Sequence, residues 1–323
     1  MNQNHDPYGN HINQGYQAFL APAKTNLFLH VVGKRPDGYH LLQTVFQLLD
    51  FYDTIYLKTT TDGQISRLQA VENISESNDL CVRAAIALKE YALQTSDRAP
   101  SNVELLGVDI AYDKHIPMGG GLGGGSSDAA TVLIALNKLW QLNFSRQTLM
   151  RIGLKLGADV PVFVFGQNAW AEGVGEVLQT INLPQTYYVV LTPQVHVATA
   201  QIFKEFSNRS TNRLNSSVNS KMSLTKHTNP MTIADFSRAP HSETFNNDLE
   251  RVVCEDYLEV ANALNWLKQF GLARMSGSGS SVFISVDSVE KAEYILQQKP
   301  SNTTGFVAKN LNTHPLFEMT ATS

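Results

Sequence analysis

Between Pro117 and Asp128 the chain reads PMGGGLGGGSSD, with six glycines in the seven positions 119–125. Glycine costs about 1 kcal/mol against alanine inside regular structure, so a run this dense belongs where backbone must adopt positive φ or approach something closely. Ahead of it, VELLGVDIAYDKHIP alternates through Val108, Ile110 and Tyr112, the pattern of a half-buried strand ending at Pro117. Behind it, residues 127–142 (SDAATVLIALNKLWQL) form an Ala- and Leu-rich helical pattern, with Ser126, Ser127 and Asp128 as candidate caps. Such a loop opening onto a helix N-terminus presents free amides and about half a positive charge, which suits an anion such as a triphosphate without any lysine. The hydroxyls of Ser126 and Ser127 are further donors, either of which could reach a phosphate-bound Mg2+. A flexible hinge is the bland alternative.

Two other phosphate motifs are excluded. The loop has no GK[ST], and its strand alternates instead of being continuously apolar. A dinucleotide site would also want an acidic residue about twenty positions past the loop, which is not seen.

A chain of 323 residues favours two packed domains over one. With 43% hydrophobic and 17% charged residues it has core enough for a buried site and is not a disordered polymer. The net charge of −4 and the lack of a Lys/Arg cluster exclude a field for polyanions, so any phosphate site must be built locally. The two cysteines, Cys81 and Cys254, lie far apart without a CxxC pair, which suggests neither a disulfide framework nor zinc and favours a reducing compartment. The N-terminus has neither signal-peptide nor transit-peptide character, and no apolar run approaches the ~18 residues of a membrane span, so a cytoplasmic protein is expected.

Residues 1–15 read as a loose polar tail. Strands are expected over 19–32 and 44–58, a helix over Leu80–Gln94 after the cap candidates Ser77, Asn78 and Asp79, another helix over 146–156, and an apolar strand over 160–165. Residues 207–244, dominated by Ser, Thr and Asn, read as a long surface insertion. A helix over 249–270 then leads into ARMSGSGSSVFISV, a second glycine turn joining a helix to a strand. The mixture predicts an α+β fold rather than a regular βαβ series.

Two charges stand in apolar settings: Lys24 within a strand, and Asp159 in LGADVPVF. Isolated buried charge is expensive, and a Lys–Asp pair would answer both costs. Without a partner, Asp159 would be a helix-end or turn carboxylate and Lys24 a snorkelling edge lysine.

The loop PMGGGLGGGSS resembles the phosphate-binding motif of the GHMP kinases, in the branch that acts on 4-diphosphocytidyl-2-C-methyl-D-erythritol. Three further segments match in order: PAKTNLFLHVVGKRPDGYHLLQTVFQ resembles the N-terminal motif, LGADVPVFVFGQNAWAEGVGE the middle motif, and MSGSGSSVF the third glycine motif. The likeness runs from about residue 21 to 316, apart from the polar insertion. It implies a two-domain GHMP kinase fold, with a ribosomal-S5-like N-terminal domain over 16–184 and a ferredoxin-like C-terminal domain over 185–323. The implied activity is ATP-dependent phosphorylation of the 2-hydroxyl of that cytidyl substrate, a step toward isoprenoid precursors. The alternative is a GHMP kinase for mevalonate, homoserine or a sugar, which should lack the GYHxLQT segment.

By the same resemblance Asp159 is the catalytic base and Lys24 the group that orients and stabilises around it. ATP contacts fall on Pro117, Met118, Gly119, Gly120, Gly121, Leu122, Gly123, Gly124, Gly125, Ser126 and Ser127. Asn78 and Lys114 align with positions near the adenine, or serve only as a helix cap and a strand-end charge. Tyr39 would stack on the cytosine and His40 hydrogen-bond it, although a lone Tyr-His pair would read as turn surface. Asn26, on the same strand face as Lys24, is a candidate substrate contact, with Thr199 and Phe203 contributed from the other domain. The MSGSGSS turn would pack against the glycine loop, unless it is only a tight C-cap turn. ATP and Mg2+ are the implied cofactors, but the metal-binding glutamate of several GHMP kinases has no counterpart in these motifs, so the Mg2+ ligands stay open. The expected partner is a small cytidine diphosphate substrate, with neither nucleic acid nor membrane, in a monomer or weak homodimer.

Overall fold

The computed structural model describes residues 14–69, 74–95, 102–216, 231–240 and 242–320. The polar tail falls almost wholly outside them. Two long strands carry the architecture: β1 (Gln17–Lys34) and β2 (His40–Thr60) form an antiparallel hairpin whose turn is closed by the Arg35 amide on the Tyr39 carbonyl at 2.7 Å. Bulges at Pro22/Ala23, Asn26/Leu29 and Val31/Gly33 shift the register of β1. The second strand is long enough to take several partners. It pairs with β4 (Gly107–Asp113), β5 (Ala169–Glu172) and β10 (Thr303–Leu311), while β3 (Ile65–Arg67) adds to β4 in parallel and β6 (Val177–Thr180) to β5.

The sheet continues through β7 (Tyr187–Pro193), β8 (Ala273–Met275) and β9 (Val282–Val286), in the order β3-β4-β2-β10-β7-β9-β8. Helices α1 (Leu80–Gln94), α2 (Gly124–Leu139), α3 (Arg146–Leu154) and α4 (Val160–Phe165) cover one end, sharing a core with Leu48, Leu57 and Val108. The other end is covered by α5 (Thr199–Ser216), α6 (Ile233–Arg238), α7 (Glu250–Asp256), α8 (Leu258–Leu267) and α9 (Val289–Gln297), and its core holds Leu191, Leu264, Val282 and Ile295. Between the two cores an aromatic cluster closes the joint: Phe28 meets Phe245 edge-on at 5.0 Å and Trp170 at 5.5 Å.

The first helix shows why its sequence was decisive. Of the three cap candidates, Asp79 does the work: it accepts the amides of Cys81 and Val82, pairs with Arg67 at 3.0 Å, and takes the Tyr112 hydroxyl at 2.8 Å. Other expectations are corrected. Residues 160–165 are a helix, not a strand; Pro161 pre-sets the first turn and Gly166, at φ +75°, closes it. Because residues 160–164 are all buried between α2 and α3, no periodicity survives to betray the helix. At α2 the cap is Gly123, in left-handed conformation, and the serines and Asp128 lie inside the helix instead of capping it.

The expected helix over 249–270 is divided at Tyr257, which is extended (φ −129°, ψ +95°). Both pieces bury apolar faces in one core, Val252 and Val253 from α7 and Val260 and Leu264 from α8, so the apolar pattern runs through the break. The MSGSGSS turn joins strand β8 to β9, not a helix to a strand. Part of the polar insertion is also structured. Helix α5 continues to Ser216, and Arg209 ties it to Glu255 and Asp256 on α7, while α6 carries a Thr232/Asp235 capping box and buries Phe236. Residues 217–230 of the insertion lie outside the described residues.

Candidate functional site

The glycines of the loop answer to particular neighbours. Gly121 has φ +74°, and a Cβ there would sit 2.3 Å from the Ser276 carbonyl oxygen; at Gly123, also +74°, it would sit 2.8 Å from the Phe163 ring. The first helical hydrogen bond of α2 runs from the Ser127 amide to the Gly123 carbonyl at 2.8 Å. Amides ahead of it therefore have no helical acceptor, and no side chain caps them. Uncapped amides at the positive end of a helix are what an anion requires.

They line a cavity of about 360 Å³. Asn78, Lys114, Pro117, Met118, the glycines 119–121 and 123–125, and Ser126 all reach its wall, whereas Leu122 and Ser127 are buried behind it. The loop is braced from both sides. The Lys24 amide donates to the Leu122 carbonyl (2.9 Å), the Ser276 hydroxyl to the Gly121 carbonyl (2.9 Å), and the Ser281 amide to the Gly120 carbonyl (3.0 Å). The second glycine turn thus packs directly on the first.

Beneath the loop lies a charged cluster that the motifs did not disclose. The Lys114 ammonium is held between the carboxylates of Asp53 and Asp128. Asp53, fully buried in β2, also accepts the amides of His115 (2.6 Å) and Ile116 (2.8 Å), fixing the segment that enters the loop. Burial pushes Asp128 up to about 8, with Lys114 opposing and Asp53 adding to the shift. Burial also works against the charge of Lys114, but the two carboxylates outweigh it and raise its pKa. The sequence holds no clear signal for Asp53, because its strand also carries Asp50, Gln43, Gln47 and Lys58 and no apolar setting singles it out as it does Lys24 and Asp159.

Lys24 and Asp159 meet. The Lys24 ammonium lies 3.1 Å from Asp159 and donates to the Asn26 side-chain oxygen at 2.7 Å, with the Phe46 ring 5.2 Å away. Lys24 is 2% exposed and Asp159 36%, so the pair has a buried cation and an accessible carboxylate. Asp159 stands at the N-cap position of α4 yet makes no capping bond, which leaves its oxygens to Lys24 and the cavity. Asn26 spends its nitrogen on Thr44 (2.9 Å) and its oxygen on Lys24, which makes it the group that aims the ammonium.

A second cavity, about 770 Å³, begins where the first ends; Gly121, Ser126, Asp159 and Thr199 lie on both walls. Lys24, Asn26, Tyr39, His40, Thr199 and Phe203 all line it. The His40 imidazole stacks on Phe203 at 5.0 Å and 25°, and its Nε2 lies 2.8 Å from the Ser207 hydroxyl. Burial, with the charge of Lys34 second, lowers the His40 pKa below its ordinary value, so the ring is neutral at neutral pH. Tyr39 is 62% exposed, a flat face at the mouth. Thr199 bonds the Ser278 hydroxyl at 2.7 Å, linking α5 to the second glycine turn. Lys34, Lys204 and Ser207 also line this cavity and were not foreseen; Lys34 stands within the N-terminal motif without being singled out, Lys204 lies outside the motifs, and Ser207 meets His40 only through the fold.

Among the described residues no group of three or more His, Cys, Asp or Glu could hold a metal ion, and no helix is long and apolar enough to cross a membrane. Residues 79–167 match the family of GHMP kinase N-terminal domains and residues 234–302 that of GHMP kinase C-terminal domains. The 4-diphosphocytidyl-2-C-methyl-D-erythritol kinase of Thiobacillus denitrificans is 52% identical over 94% of this chain and 98% of its own length. That of Burkholderia ambifaria is 49% identical over 92% and 95%. A crystal structure of 4-(cytidine 5'-diphospho)-2C-methyl-D-erythritol kinase superposes with a TM-score of 0.71 at 29% identity, covering 91% of this chain and 99% of that one. A mevalonate kinase structure, at 16% identity and TM-score 0.62, shares the fold.

Proposed function

The chain belongs to the 4-diphosphocytidyl-2-C-methyl-D-erythritol kinases, a branch of the GHMP kinases, and from that membership we propose that it moves the γ-phosphate of ATP onto the 2-hydroxyl of 4-diphosphocytidyl-2-C-methyl-D-erythritol. One observation carries the mechanism: the accessible Asp159 carboxylate, paired with buried Lys24, lies on the wall common to both cavities. ATP sets its phosphates on the free amides of the glycine loop and its base toward Asn78 and Lys114. The cytidyl substrate occupies the larger cavity, with its cytosine at Tyr39, His40 and Phe203 and its hydroxyl at Asp159. Asp159 accepts the hydroxyl proton as the oxygen attacks phosphorus. Lys24, aimed by Asn26, and the loop amides then offset the charge shared by the attacking and leaving oxygens. Nothing covalent is required of the protein.

The donor set also fits an ATP-borne Mg2+. Ser126, Asp128 and Asp159 reach the wall of the glycine-loop cavity and would offer a hydroxyl and carboxylates to an ion carried mainly by phosphate oxygens and water. When bound, the ion supplies charge neutralisation on the phosphates. The division into domains at 184/185 is supported by two cores drawn mostly from either side of it, with Leu29 and Val31 joining the second and Leu316 the first, and a cytoplasmic setting by the two free cysteines.

A coupled assay of ADP release with the cytidyl substrate tests the reading. Turnover with it and little with mevalonate, homoserine or galactose is the expected result; no turnover above background rejects the assignment.

A further inference from the structure

Away from both cavities, a third of about 120 Å³ opens between residues 182–188, α6 and strands β8 and β9. Leu27, Leu183, Phe236 and Phe283 make its walls largely apolar, yet Arg274 lies among them. Arg274 is 8% exposed. Its Nη2 donates to the carbonyls of Pro240 (3.2 Å) and Ser242 (3.1 Å), while Nε is buried without a partner among the described residues. Among the described residues Arg274 forms no ion pair. Glu250, the acid whose field reaches it, is engaged by the Met275 amide (3.2 Å) and by Lys268 (3.6 Å). Tyr188 shares the wall; it is 4% exposed, meets Phe283 edge-on at 5.9 Å, and its hydroxyl carries no hydrogen bond among the described residues.

A buried guanidinium without a counter-charge is costly, and a bidentate anion is the group that repays it best. The apolar walls ask for more than an inorganic ion. The volume approaches the roughly 150 Å³ that admits benzene into an engineered protein cavity, so the apolar body must be small. We propose that this cavity binds a small organic carboxylate, its oxygens on Arg274 and the Tyr188 hydroxyl and its apolar body against Phe236 and Phe283. This site is separate from the kinase centre and does not depend on the reading of that centre.

Benzoate is the probe, with benzamide as its uncharged twin. The full chain is first saturated with a non-hydrolysable ATP analogue, so that the glycine loop cannot take the anion, and binding is followed by NMR chemical shifts of the cavity residues. Saturable benzoate binding is expected, weakened about tenfold to hundredfold for benzamide and for Arg274→Met. Because Arg274→Met alters a buried position, Ser237→Trp provides a second arm. Ser237 is exposed at the cavity's edge on α6, and the indole should close the mouth and remove benzoate binding with Arg274 intact. Equal affinity for benzamide, retention in Ser237→Trp, or shifts that do not saturate would each overturn the assignment.

Discussion

The two cavities that meet at Asp159 are made of different material. The side proposed for the nucleotide is backbone: amides at the start of α2, glycines in left-handed conformations, and carbonyls tied to the second glycine turn. The side proposed for the cytidyl group is side chains, His40 stacked on Phe203 and Tyr39 turned outward, drawn from positions more than 150 residues apart. A backbone site has few ways to vary, because a Cβ at Gly119, Gly120, Gly121 or Gly123 would come within 3.0 Å of its scaffold. A side-chain site can be retuned one residue at a time. Structures of a mevalonate kinase and a homoserine kinase share this fold at 15–16% identity.

The comparison can be broken at its junction first. Asp159→Ala should lower kcat about a thousandfold or more while ATP affinity, read by nucleotide fluorescence, changes only a few-fold. Retained turnover would remove Asp159 from the mechanism. On the backbone side, Gly121→Ala places a methyl 2.3 Å from the Ser276 carbonyl at a positive φ, and should cut kcat/KM for ATP about thirtyfold to hundredfold. A loop tolerant of that methyl would refute a backbone-made cradle.

Phe203→Ala should raise KM for the cytidyl substrate about tenfold and leave KM for ATP unchanged, since one stacking face is lost. Equal effects on both substrates would erase the division. The smallest effect is titration of His40. Burial lowers its pKa, so the folded chain favours the neutral ring; its contribution is complete above the ordinary 6.5 and is lost as pH falls through the lowered value. An imidazole NMR titration should show a midpoint below 6.5, and a midpoint at or above 6.5 would mean that the pocket does not desolvate the ring.

The same contrast explains what was legible in the sequence. The cradle announced itself because glycine density is local, and α1 because Asp79 and a clean apolar stripe lie side by side. Helix α4 was misread because burial on every side removes the polar face that marks a helix. Burial cost made a Lys24–Asp159 pair one possible answer and the family resemblance implied it, yet their 3.1 Å separation depends on β1 and α4 being docked together by the core. Asp53, Lys114 and Asp128 escaped notice as a set, although each came from a segment already recognised, because only the fold brings two carboxylates to one ammonium.

Strand β10 spans the whole molecule's division of labour, pairing with β7 along residues 303–309 and with β2 through Asn310 and Leu311. Among the described residues it is the last strand in chain order. Until it emerges, no multi-residue ladder among the described residues joins the half with the glycine loop to the half with Phe203, Leu29 pairing with Asn247 only as an isolated bridge. A nascent chain stalled before residue 303 should therefore hold a formed glycine loop and no kinase activity.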